Sequence, residues 1–180
     1  MKKLILLLIS CSLLTACNTA TTRYMTAPRR DVASIHKVQT IAMAPDSGIL
    51  GDAVAVELAN RGYDVYDSGQ TSKLFIRWNL NEGELIRPED YTKFRDKGID
   101  AYLTLKTVGG WDKQPQSASA KLISTYDGKI ITGVSYQNGW GGAQTSMADS
   151  VMRQNIGAAA EEIAKALIKG IYNSTHYVNN

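Results

Sequence analysis

The chain has 180 residues, 44% of them apolar and 21% charged, an ordinary globular composition for one domain with or without a tail. It excludes a fibrous repeat or a wholly disordered chain. The formal charge of +3 includes Lys2 and Lys3, which lie in a segment expected to be removed; without them the 20 basic residues fall to 18, against 17 acidic ones. So neutral a chain lacks the basic footprint of a nucleic-acid binder, and no nucleic-acid partner is expected.

Residues 1–16 read as a signal peptide. Met1-Lys2-Lys3 is the positive start, and Leu4 to Leu14 is an apolar run of 11 residues, too short for the ~20 that a spanning helix needs. The run ends in Leu14-Thr15-Ala16-Cys17, which resembles the lipobox of bacterial lipoproteins. That resemblance implies cleavage before Cys17 and lipid on its thiol, so that the membrane is a partner through the lipid on Cys17. Asn18, rather than an aspartate, then favours the outer membrane, with the domain facing the periplasm. Cys11 leaves with the signal peptide. The folded part therefore keeps no free thiol for a disulfide, a metal or nucleophilic catalysis.

Residues 17–34 read as a lipidated, flexible tether: Asn18 to Ala33 is rich in Thr, Ala and Arg, contains Pro28 and shows no apolar period. A single domain is expected over 35–172. Val38 to Ala44 has the length and apolar content of a strand buried on both faces, stopped by Pro45-Asp46-Ser47-Gly48. Leu50, Val54 and Leu58, with Ala53 between, form one helical stripe that ends at Gly62. Tyr63 to Tyr66 is a second short strand, completing a strand–helix–strand unit with right-handed crossover and parallel pairing. In Ser68 to Asn79 the alternation of Leu74, Ile76 and Trp78 suits a strand, while Ser68, Gln70 and Thr71 suit a helix start. Pro88-Glu89-Asp90 opens a clearer helix, with Lys93, Arg95 and Lys97 late and Gly98 as its stop. Ala101 to Val108 is a third strand. Ala118 to Tyr126 and Lys129 to Gln137 are two more, joined as a hairpin by Asp127-Gly128. Asp149 is expected to cap one long helix that aligns Met152, Ile156, Ala160, Ile163, Leu167 and Ile171, and 173–180 is a polar tail.

This order predicts an α/β (α+β) domain: a mixed sheet of about five strands with a parallel start and an antiparallel hairpin near the end, helices packed on it, and a long C-terminal helix. Together with Asp64-Val65-Tyr66-Asp67, Gly98-Ile99-Asp100-Ala101-Tyr102 and Tyr126-Asp127-Gly128-Lys129-Ile130-Ile131-Thr132-Gly133, it resembles a periplasmic α/β group. The group comprises the amino-terminal part of TolB, the curli secretion lipoprotein and the lipoprotein activators of penicillin-binding proteins. The resemblance spans about residues 38–170 and implies a short helix, not a strand, over 68–79.

Catalytic patterns are missing from the sequence. Its two histidines, His36 and His176, lie at the tether and in the tail and read as surface residues. No metalloprotease, nucleophile-elbow or phosphate-loop motif occurs; Gly133-Val134-Ser135-Tyr136-Gln137 starts like an elbow but ends in Gln137 and reads as a strand. The acid pairs Glu89/Asp90 and Glu161/Glu162 are adjacent on helices, so their side chains diverge. No enzyme activity, cofactor or metal is expected.

What stands out is glycine and tryptophan at strand ends: Gly109, Gly110 and Trp111 after the third strand, and Gly139, Trp140, Gly141 and Gly142 after the fifth. Those two strands run the same way, and if the first is parallel to them, Asp46, Ser47 and Gly48 share their carboxyl edge, where open α/β sheets bind ligands. The tryptophans either anchor a partner there or fold back over the sheet end. Two functions fit: an accessory or assembly factor of an envelope machine (secretion, flagellar or pilus, or cell wall) acting through protein contacts or self-assembly, or a binder of a small ligand or peptidoglycan fragment at this edge. A self-made membrane barrel is excluded, because the one long hairpin carries Lys121, Asp127 and Lys129.

Overall fold

The computed structural model describes residues 19–26, 37–81, 85, 88–109, 114–143 and 146–176. Six strands form one mixed sheet: β1 (Thr21–Thr26), β2 (Thr40–Met43), β3 (Asp64–Tyr66), β4 (Ala101–Gly109), β5 (Pro115–Ser124) and β6 (Ile130–Gln137), in the order β1-β6-β5-β4-β2-β3. β2 is parallel to β3 and β4, while β5 is antiparallel to both β4 and β6, and β1 is antiparallel to β6. The helices are α1 (Gly48–Asn60), α2 (Ser68–Trp78), α3 (Thr92–Asp96) after a 3-10 turn at Pro88–Tyr91, α4 (Met147–Met152) and α5 (Ile156–His176). The expected α/β class and mixed sheet are present.

Alternation along the strands makes two cores. Ile41 and Met43 of β2, Leu103 and Leu105 of β4, and Leu122 and Val134 beyond them face α1 and α5, where Val54, Leu58, Ile163 and Leu167 are buried with them. The intervening Ala42, Ala44 and Tyr102 face the other way, onto Leu74 and Phe75 of α2 and Phe94 of α3. α2 and α3 cover that face over β2 and as far as Tyr102 of β4 and Ile123 of β5; among the described residues no helix lies over the rest of β4, β5, β6 and β1. There Lys106, Ser119, Lys121, Ser135, Gln137 and Arg23 are all exposed.

Local chemistry explains the strand entries. Gly98 takes φ +79, which lets the chain turn so that Ile99 is fully buried and Asp100 points back to β2. The Asp100 carboxylate accepts the amides of Gln39 and Thr40, both at 2.8 Å, fastening β2 beside β4. Over 68–79 the helix prevails. Asp67 caps it in a reciprocal pair with Gln70, and Leu74 and Phe75 lie on its buried face while Ile76 is 81% exposed.

Three expectations need correction. The sheet has six strands, the additional one being β1, which lies inside the stretch 17–34 read as a flexible tether. Only two of its side chains turn inward, and both meet polar partners. The Thr22 hydroxyl donates to Glu162 at 2.7 Å, and Tyr24 accepts from Asn173 at 3.2 Å with Lys169 5.2 Å from its ring. The long C-terminal helix is broken, with Arg153 extended between α4 and α5. Ser146 caps α4 and Asn155 caps α5 through the amide of Ala158 at 2.9 Å, so Asp149 is not the cap. Finally, α5 runs to His176, into the stretch 173–180 read as a polar tail.

Candidate functional site

Parallel β2, β4 and β6 bring their carboxyl ends to one edge, as the sequence predicts. At the end of β2, Ser47 is buried and donates its hydroxyl to the carbonyl of Ala44 at 2.7 Å. A Cβ on Gly51 would stand 2.2 Å from that of Ser47, so this serine is committed to the turn. Gly48 follows at φ +62 and starts α1. Asp46 is exposed and pairs with Lys106 of β4. Between these elements lies a cleft of about 250 Å³, lined by Asp46, Ser47 and Gly48, by Thr107 and Gly109 of β4, and by Pro115 and Ile156. The structure thus joins Asp46, Ser47, Gly48 and Gly109 in one place. Gly110 and Trp111 lie outside the described residues.

The loop after β6 shares the edge, but its Trp140 does not line the cleft. Its pin is Asn138, a residue the sequence did not single out. Asn138 is 4% exposed, and its amide nitrogen donates to the carbonyls of Pro115 (2.7 Å) and Gln154 (3.0 Å), while its oxygen accepts the amides of Gly139 and Gln154, each at 2.8 Å. Gly141 lies against α4, where a Cβ would stand 2.3 Å from the Ala148 carbonyl. Its amide donates to the buried Asp149 carboxylate at 3.2 Å, which also receives Arg153 at 3.0 Å. The Gly141 amide, helped by Arg153, holds that carboxyl below its ordinary range although burial pulls the other way. Gly142 turns at φ +100. On this pinned loop Trp140 is 49% exposed.

Trp140→Ala should therefore cost about 1 kcal/mol of stability or less. Asn138→Ala, which strands two amides and two carbonyls, those of Gly139 and Pro115 buried, should cost about 2–4 kcal/mol. Urea denaturation of the two variants checks the contrast, and an equal loss in both would mean that Trp140 covers the sheet end.

The pair Glu161/Glu162 diverges as expected. Glu161 pairs with Lys165 at 2.7 Å and with Arg61, just past α1, at 3.7 Å, and Lys165 holds its carboxyl below the usual range. Glu162 turns to β1 and accepts Thr22 and Gln154, each at 2.7 Å. Gln154 in turn accepts the buried Tyr136 hydroxyl at 3.2 Å, and burial with the Glu162 charge raises that phenol to about 12. Ser135 is an exposed strand residue of β6. Of the two histidines, His36 lies outside the described residues. Among the described residues no cluster of three or more His, Cys, Asp or Glu is placed to hold a metal, and no helix is long and apolar enough to cross a membrane.

The sequence matches no protein-family model and no curated protein. In fold it is similar to the PelC dodecamer from Paraburkholderia phytofirmans, at 16% identity and a TM-score of 0.42 over 80% of this chain and 97% of that one. It is similar to lipoprotein GNA1162 from Neisseria meningitidis at 18% identity and a TM-score of 0.44, over 76% and 99% of the two chains. The LpoB C-terminal domain from Salmonella enterica gives 20% identity and a TM-score of 0.38 over 57% and 84%. The likeness is one of chain path alone.

Proposed function

We propose that this chain is a non-enzymatic lipoprotein of the bacterial envelope, acylated on Cys17 and held on the periplasmic face of the outer membrane. It serves as an accessory or assembly factor for a secretion, flagellar or pilus, or cell-wall machine, through protein contacts or self-assembly. The observation that carries this reading is the one-sided sheet. The outer face of β4, β5, β6 and β1 presents a broad row of short polar side chains and three cations, Lys106, Lys121 and Arg23, with no helix of the described residues over them. Such a surface is suited to a partner that supplies its own complementary face.

The test has two arms. Cys17→Ser should move the protein from the membrane pellet to the soluble periplasm and abolish palmitate labelling. A mutant that stays in the pellet through carbonate washes would end the lipoprotein reading. A photo-crosslinker at Ser119 should capture a defined neighbour in intact cells, and the absence of any adduct would remove the accessory role from this face.

The cleft favours a second reading, a small ligand or peptidoglycan fragment bound where the parallel strands end. It predicts fragment-induced amide shifts at Thr107 and Gly109 in solution; none with soluble muropeptides would retire it.

A further inference from the structure

The place where β1 joins the sheet orients the domain on its anchor. β1 runs antiparallel to β6 with Thr21 opposite Gln137 and Thr26 opposite Thr132, so the chain enters at the carboxyl edge. Residues 18–20 alone separate Cys17 from Thr21, and four residue steps reach at most about 14 Å. The opposite edge lies a further strand length away, about 20 Å for six residues, beyond that reach. A lipid on Cys17 therefore brings the carboxyl edge, and not the other, to the bilayer.

The same edge carries apolar side chains that nothing in the described residues covers. Ile49 at the start of α1 is 75% exposed, Val108 at the end of β4 58%, Met147 and Val151 of α4 86% and 76%, and Trp140, on the loop whose Gly141 packs on α4, 49%. Met147 and Val151 are four residues apart and share one helical face. The charges between them are muted, because Asp46 pairs with Lys106 and Asp149 is buried against Arg153. Tryptophan and flanking aliphatic side chains are what a bilayer interface receives.

We infer that this rim, Ile49, Val108, Trp140, Met147 and Val151, docks onto the lipid surface of the membrane that holds the anchor. The inference rests on the acylation of Cys17 proposed above. It stands the open face of β4, β5, β6 and β1 upright on the membrane, so that neighbours approach it from the side.

The test uses the full acylated chain, reconstituted without other proteins into vesicles of phosphatidylethanolamine and phosphatidylglycerol. Single cysteines at 147 and 151, and at 76 and 130 as controls on exposed residues toward the other end, are labelled with a nitroxide; the acylated thioether of Cys17 does not react. Collisions with a water-soluble nickel reagent should fall several-fold at 147 and 151 on reconstitution and stay unchanged at 76 and 130. Four labels that remain equally open to water, with palmitate retained on Cys17, would overturn the docking and leave the lipoprotein reading intact. Loss of palmitate itself would take both down. Shielding of 147 and 151 only in native membranes, with a cross-linked protein at those sites, would give the rim to a protein partner and refute the lipid assignment.

Discussion

Phe94→Ala should lower the stability of the domain by about 3–5 kcal/mol, the range for a buried phenylalanine whose cavity cannot collapse. Phe94 is fully buried on α3, a helix of five residues, and is the hub of the smaller core. Trp78 stands 5.2 Å from its ring centre, Tyr102 5.4 Å, Phe75 5.7 Å and Tyr91 6.4 Å, mostly edge-on or tilted. Such a rigid aromatic wall refills poorly. Without the ring, Leu74, Phe75 and Tyr91 still reach Tyr102 and β2, but the centre that joins them is lost. The melting temperature should fall by roughly 6–20 °C, whereas Ile76→Ala on the exposed side of α2 should barely change it. A Phe94→Ala melt close to the wild type would mean that the 88–98 segment is not docked as described.

Much of this fold is legible where a segment must satisfy a single demand. Val38 to Ala44 is apolar because β2 is buried on both faces, and Leu50, Val54 and Leu58 repeat because α1 presents one stripe to the sheet. β1 is not legible in that way. As an edge strand it turns only Thr22 and Tyr24 inward, Thr22 onto Glu162 and Tyr24 against the core with its hydroxyl on Asn173, and leaves no apolar alternation to count. The break at Arg153 escapes for a similar reason. The apolar spacing from Met152 to Ile156 continues across it, and at the break the Asn138 oxygen, just past β6, takes the Gln154 amide, a tertiary contact.

The candidate site divides along the same line. Of the glycine and tryptophan signals, Gly109 and the Gly139–Gly142 loop lie at the carboxyl edge, where tight turns leave a composition signature, while Gly110 and Trp111 lie outside the described residues. They do not reveal the division of labour there. Asn138 is a single asparagine in a strand-to-loop junction, and only tertiary structure surrounds it with four partners. Ile49, Met147 and Val151 look like core residues in the sequence, since exposure alone distinguishes a docking rim from a core stripe.

Gly170→Ala should destabilise the protein by about 2 kcal/mol, although alanine is the better helix former by about 1 kcal/mol. α5 crosses β6 so closely that a Cβ at Gly170 would stand 2.0 Å from the Thr132 Oγ1 and 2.6 Å from its Cβ. That hydroxyl is in use: it donates to the carbonyl of Met25 at 2.9 Å and fastens the last turnings of β1 to the sheet. An added methyl must push the helix away or drive the hydroxyl off Met25, and either loosens β1 on the sheet. Gly157→Ala, exposed in the first turn of the same helix and meeting only the Asn155 Oδ1 at 3.4 Å, should stabilise instead. Thr132→Ala should be costly alone, yet it should restore part of the loss in the Gly170→Ala background, because it removes the nearest clashing atom. Denaturation of the three variants and the double mutant reads the coupling directly. A Gly170→Ala protein that melts at or above the wild-type temperature would show that α5 does not press on Thr132, and the fastening of β1 would have to be sought elsewhere.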